Sequence, residues 1–334
     1  MKRPASPVQL SRAAWWVAAR RTARTFFEGN GIDRAAALAF FSVLALFPAL
    51  LVTASILALA GQEGRALGAA IDLAGDVLPR ETVEFLRERL GEFAVSPAAT
   101  LGVVTGAVVA LWTASAYVTA FGRAMNDVYG VEEGRPIWKL RGLQLLVTAG
   151  LLALVSVIVL LLLLGGGIAK AVAEAVAEQL GAGDAVQLTW AIVRWPLMFA
   201  VLVCLIALLY RATPNVRQPR FRWLSVGAVV AIVVVAGASA AFAWYLTAFA
   251  DYDRVYGSLA GAVVFLVWLW LVNGGLLIGA AFDAELERAR ELQAGAHAED
   301  RILLEPRDTS RIARNAERIA AERERARRLR RDAP

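Results

Sequence analysis

The hydrocarbon interior of a bilayer, about 30 Å thick, is crossed by about 20 mostly apolar helical residues. This chain contains six such runs, at roughly 36–60, 98–119, 143–165, 190–210, 223–248 and 258–281. Glycine, proline and charge punctuate the junctions, as in "LLLLGGGIAK", "YRATPNVRQPRFRW" and "ADYDRVYG". Composition agrees: 58% of residues are hydrophobic and the mean hydropathy is +0.56, against about 45–50% apolar residues in an ordinary soluble domain. The expected fold is all-α, a polytopic membrane protein with six transmembrane helices and amphipathic flanking helices.

The distribution of charge sets an orientation for those spans. Placing the N-terminus inside puts 28 of the 35 lysines and arginines on the inner side, in the first arm, the second and fourth loops and the tail. The outer side keeps seven, among them Lys170, Arg194 and Arg254. Such a bias predicts both termini in the cytoplasm with an even number of spans between them. The formal charge of +6 then reflects topology, and no specific nucleic-acid partner is expected.

Three regions follow. Residues 1–34 form a basic arm in which Trp15, Trp16, Phe26 and Phe27 alternate with Arg12, Arg20, Arg21 and Arg24, a pattern for an interfacial helix beside anionic headgroups. The arm does not read as a cleavable signal sequence. Residues 35–287 hold the six spans. Residues 288–334 form a charged, arginine-rich cytoplasmic tail ending "AERERARRLRRDAP", read as solvated or lipid-touching and as a place for a protein partner. The long outer loop, with Val83, Leu86, Leu90 and Phe93 at helical spacing, predicts amphipathic helices that either cover the bundle or form a lid over a cavity, and the stripe Ile168, Val172, Val176 and Leu180 either extends the third helix or lies at the interface.

Reactive chemistry is sparse. The single cysteine, Cys204, precludes an intrachain disulfide, and the single histidine, His297, lies in the tail. Neither H-E-x-x-H nor a Walker phosphate loop is present, and the spans contain no aspartate or glutamate. No catalytic residue, metal ligand or cofactor is expected, and the protein is read as a non-enzyme. Asn273 falls mid-way along the sixth span, where an unpartnered amide costs about 2–7 kcal/mol; it faces either a neighbouring helix or a substrate path. Arg194, beside Trp195 and Pro196, is read as an outer headgroup anchor or a contact for an anionic substrate. Pro48 is expected to kink the first span, while Gly257 with Gly261 and Gly275 with Gly279 have the spacing that lets helix backbones touch.

Four ordered motifs carry more information together than alone: "AAALAFFSVLALFPALL", "ALWTASAYVTAFGRAMNDVYG", "LLYRATPN" and "FADYDRVYGSLAGAVVFLVWLW". Over roughly residues 30–287 the chain resembles the YihY/BrkB family of bacterial inner-membrane proteins. The resemblance implies six spans in a bacterial plasma membrane. Members once labelled a tRNA-processing ribonuclease have also been associated with serum resistance and with movement of lipid or envelope precursors. Tyr256, Gly257 and Ser258 match the family's "VYGS" turn, with Gly257 allowing re-entry and Ser258 capping the sixth helix. With Arg254 they form either a wet structural turn or the outer rim of a cavity. The functional expectation is a transporter or translocation factor for a lipid or other anionic amphiphile, with a cavity lined by the first, second and sixth spans. A membrane scaffold or assembly factor is the alternative, and a membrane-associated ribonuclease a distant third.

Overall fold

A helix satisfies its own backbone, which is what an apolar environment demands of any segment that crosses it. The computed structural model describes residues 9–59, 99–163, 183–217, 225–248 and 260–331, and these are overwhelmingly helical. In chain order the helices are α1 (Arg12–Glu28), α2 (Gly31–Leu59), α3 (Ala99–Tyr129), α4 (Ile137–Leu163), α5 (Gly183–Ala212), α6 (Val226–Ala248), α7 (Ala260–Gln293) and α8 (Ser310–Arg331). Extended pairing among the described residues is limited to one antiparallel bridge, Val216 to Pro306.

α4 to α7 each contain a segment long and apolar enough to cross a membrane. α1 and the first part of α2, bent by 68° at their junction, make a fifth if the pair is one span. α3 occupies the expected second span and is helical throughout, but does not count among them. The described residues therefore account for four or five spans of the expected six. Only 11% of the apolar window of α5 and 17% of that of α6 is buried inside the molecule. Phe199, Val233 and Trp244 stand exposed on these helices, as side chains do when lipid completes the packing.

The N-terminal arm forms the amphipathic helix read from its sequence. Ser11 caps α1, its hydroxyl accepting from the Ala14 N–H at 3.1 Å. Ala18, Thr22 and Phe26 are buried while Trp16 and Phe27 stay exposed. The buried stripe lies on the end of α7, where Trp15 meets Phe282 at 5.9 Å between ring centroids. Arg21 Nε donates to Glu285 Oε2 at 3.1 Å. Asn30 takes a left-handed φ of 60°, and the chain turns there into α2.

Polar contacts gather one end of every span. Arg34 at the start of α2 pairs with Asp127 at the end of α3 (3.0 Å). The Gly227 N–H at the start of α6 donates to Asp283 on α7 (2.6 Å), and Asn215 after α5 meets Asn126 on α3 (2.7 Å). The helices thus alternate in direction. Ser11 donates to Gln293, so the first described residues and the end of α7 share this end, which also carries Arg135, Lys139, Arg141, Arg211 and the tail. We call it the basic end. At about 1.5 Å per residue, the 34 residues of α7 extend about 50 Å, well beyond an apolar layer of about 30 Å, so the basic end stands clear of it.

Two glycines of α7 set its contact with α6. A Cβ on Gly279 would collide with the carbonyl oxygen of Gly227, and one on Gly275 would meet Val235 Cγ2 at 2.6 Å. These small residues serve contact within the chain, one of the two uses their spacing allows. Pro48 lies inside α2, buried, and the helix continues past it to Leu59.

The tail departs from a solvated appendage. α7 runs through the expected boundary at 287/288 without a break. Gly295 reverses the chain at φ 82°. The following strap packs back on the bundle, burying Ala298 and Ile302. Beyond it α8 has no buried residue.

A polar clasp and a basic cavity as the candidate functional site

Where α3 ends, the chain must satisfy the last carbonyls of a helix inside a crowded junction. Gly130, at φ 65°, lets the Val131 N–H return to the Asn126 carbonyl at 2.9 Å. The Asn126 side chain, 4% exposed, is then free to work as a connector. Its Oδ1 accepts from the Asn215 backbone N–H at 2.7 Å, and its Nδ2 donates to Glu133 Oε2 at 3.0 Å. Asn215, fully buried, donates through Nδ2 to the carbonyls of Glu132 (3.1 Å) and Asp308 (2.9 Å), while its Oδ1 accepts from the Asp308 N–H (3.1 Å). Two amides therefore fasten α3, the turn after α5 and the strap to one another.

Glu133 and Arg135 extend the clasp. Arg135 Nε donates to Glu133 Oε1 at 2.8 Å and Nη2 to Oε2 at 2.6 Å, the parallel fork in which a guanidinium binds a carboxylate best. Nη2 also reaches the Thr213 carbonyl at 2.7 Å. Burial opposes the Glu133 charge, yet the hydrogen bonds and positive charge of Arg135 prevail and hold its carboxyl below the usual range. On the strap, the hydroxyl and N–H of Ser310 likewise hold the Asp308 carboxyl low, with Lys139 assisting. Arg307 donates to the Val216 carbonyl at 2.8 Å, and the Arg311 N–H to the Gly134 carbonyl at 2.8 Å. A Cβ on Gly134 would strike the Asp308 carbonyl, which is why glycine stands there.

Beside the clasp lies a cavity of about 840 Å³ between the basic ends of α3 and α4. Five arginines line it (Arg34, Arg123, Arg135, Arg141 and Arg311) with three carboxylates, Asp127, Glu132 and Glu133. Two of those carboxylates are held by Arg34 and Arg135. Its apolar lining comes from Leu140, Leu143 and Val147 of α4 with Val118 of α3. Arg141 lies over the ring of Trp112 at 5.2 Å, and Trp112 and Trp138 are both exposed, as aromatic residues are at headgroup depth. A second cavity of about 160 Å³ lies among α1, α2, α3 and α7, and shares Arg34 and Asp127 with the first.

The larger cavity is not where the sequence placed one. The second span borders it through Val118 and Thr119, but the first reaches it only at Arg34, just before its start, and no residue of the sixth lines it; higher up the three spans close on Asn273. That residue is 2% exposed, accepts from the Tyr117 hydroxyl at 3.0 Å, and donates to Ser42 Oγ at 3.3 Å and the Leu269 carbonyl at 2.8 Å. It ties α2, α3 and α7 together, the helix-bonding alternative of its reading. Arg194 rests over the Trp195 ring at 5.2 Å. Arg254, Tyr256, Gly257 and Ser258, like the outer amphipathic helices, lie outside the described residues. Asn126 and Asn215 were within reach of sequence reasoning, since each sits in a quoted motif, "GRAMNDVYG" and "RATPN". Glu133, Arg135 and Gln144 carried no such signal.

These features define a polytopic helical membrane protein whose helix ends are clasped on one side around a basic cavity. A family model described as virulence factor BrkB matches residues 22–302, so the chain belongs to the BrkB family, and the match takes in the first part of the strap. Among relatives, the ribonuclease-like protein YfkH of Bacillus subtilis is 29% identical over 80% of this chain and 94% of its own length. A UPF0761 membrane protein of Alkalilimnicola ehrlichii is 28% identical over 79% of this chain but only 57% of its own length. One of Alteromonas mediterranea is 26% identical over 82% and 89%. The chain thus spans nearly all of some relatives and little more than half of others. No solved structure matches it significantly.

Proposed function

We propose that the protein is a non-enzymatic transporter or translocation factor of the bacterial inner membrane, for a lipid or other anionic amphiphile of the envelope, with six spans and both termini in the cytoplasm. The observation that carries this reading is the basic cavity. A lining that joins arginines to apolar residues of α4, at headgroup depth, suits a molecule with a charged head and a greasy body. The concentration of lysine and arginine at that end supports a cytoplasmic placement. The test is reconstitution of the purified protein into vesicles with a fluorescently labelled anionic phospholipid in one leaflet. Faster appearance of label in the opposite leaflet than in protein-free vesicles is expected; equal rates would overturn the reading. The exposed length of α8 favours a second reading, a scaffold that presents this helix to a protein partner. Full-length protein that moves no lipid in vesicles, together with a chain ending after Asn315 that loses a captured partner, would decide for the scaffold.

A further inference from the structure

We propose that the 840 Å³ cavity is a binding site for a phosphate ester, with Arg123, Arg135, Arg141 and Arg311 receiving the phosphate and Gln144 a neighbouring hydroxyl or ammonium group. The assignment deepens the lipid-handling reading above and rests on it for the choice of probe. Three observations carry it.

The first is the set of unmet bonds. Arg135 is 6% exposed, and three of its donors are spoken for by Glu133 and Thr213, yet its buried Nη1 has no hydrogen-bond partner among the described residues. Gln144, 7% exposed, keeps a buried Oε1 that no donor of the described residues reaches. Native interiors rarely leave such groups unmatched. Both residues line this cavity. Both atoms lie just out of a water molecule's reach, so an anionic acceptor bearing its own donor would answer both needs once the two side chains shift toward it.

The second is the charge balance. Five arginines face three carboxylates, leaving the lining net positive by two: Asp127 and Glu133 are neutralised by Arg34 and Arg135, and Glu132 offsets one further charge. Among the described residues, Arg123 and Arg311 make no side-chain ion pair and Arg141 is engaged only by the Trp112 face. Three guanidinium groups thus remain uncommitted to any carboxylate around one space, and guanidinium is the side chain best matched to phosphate oxygens. The third is position. The exposed Trp112 and Trp138 mark headgroup depth, and Leu140, Leu143 and Val147 give the cavity an apolar lining along α4. A diacyl phospholipid would enter head first with its chains along those apolar residues; a free phosphate would use the arginines alone.

The full chain in detergent is titrated with phosphatidylglycerol, with phosphatidylcholine and with inorganic phosphate, and bound ligand is counted by native mass spectrometry. Wild type is expected to bind phosphatidylglycerol. The double variant Arg123→Gln with Arg311→Gln, both at side chains outside the clasp, should weaken that binding by about tenfold or more. Gly237→Ala on α6, where a Cβ meets open space, serves as the distant control and should leave it unchanged. Gln144→Leu should lower the preference for phosphatidylglycerol, which offers hydroxyl donors, over phosphatidylcholine, which offers none. Phosphate competing with lipid identifies a shared anion site; phosphate binding alone, equally sensitive to the double variant, keeps the site and reassigns its ligand as soluble. Binding that the double variant does not alter, or no binding of either probe, overturns the proposal. Vesicles whose lipid movement persists in the double variant would sink this site and leave the translocation reading standing, whereas site-dependent binding without movement would do the reverse.

Discussion

Glu133 is the one carboxylate of the clasp whose charge is both opposed by burial and secured by a forked arginine. Because its folded carboxyl titrates below an unfolded glutamate at about 4.3, the unfolded chain takes up its proton first as pH falls. Its contribution is therefore fully present above that value and is lost as pH drops through the folded one. The detergent-purified protein is expected to lose thermal stability on the acid side of pH 4.3, read from tryptophan fluorescence melts. Glu133→Gln should melt lower at pH 7, because Arg135 keeps its burial without its partner, and should flatten that part of the acid decline. A variant whose acid profile is parallel to wild type would show that other carboxylates govern it. This residue also marks how far sequence reading reached. Asn126 and Asn215 were visible as members of motifs at helix ends, although their mutual contact was not. Glu133 and Arg135 sat in a short loop with no periodicity, and their importance comes from burial that tertiary packing alone confers.

At the scale of elements, hydrophobic run length located the helices well because the requirement it reflects, a backbone satisfied within each crossing, is local. Faces were harder to read. Run length does not say which side of α5 meets lipid and which meets α4, and the glycine spacing left open whether it served this chain or a second copy. The α6–α7 contact answers for Gly279, whose missing side chain makes room for the Gly227 carbonyl, a backbone atom that cannot rotate away. Gly279→Ala is expected to destabilise by about 1–3 kcal/mol through overpacking. Gly237→Ala, a helical position with open space where the Cβ would go, should be neutral or slightly stabilising, by up to about 1 kcal/mol. Thermal melts of the two variants side by side check the pair; equal midpoints would mean that the two helices can separate without cost.

For the whole molecule, the distinction that matters is between what closes the bundle and what hangs from it. Residues 294–309 looked like part of one charged tail because they lack aromatic residues and periodicity, and a segment that packs as an irregular strap gives neither signal. Its hold is nonetheless extensive. Ala298 and Ile302 are buried, the Leu303 N–H is accepted by the buried Glu291 at 2.9 Å, Arg217 and Glu305 join backbones at 2.9 Å, and Asp308 meets Asn215. Removing it would open the turn after α5, expose the clasp and unroof the basic cavity, to which the start of α8 contributes Arg311 and Asn315. The charged remainder of α8 buries nothing. A chain ending after Asn315 is therefore expected to elute as a single species in detergent with a melting midpoint close to that of the full chain. One ending after Glu287 should aggregate or melt far lower, since it loses the strap together with Glu291 and Gln293 of α7. Size-exclusion profiles and melts of the two truncations decide the matter. If both behaved like the full chain, the clasp would be a passenger, and the cavity it walls would lose its claim to a fixed shape.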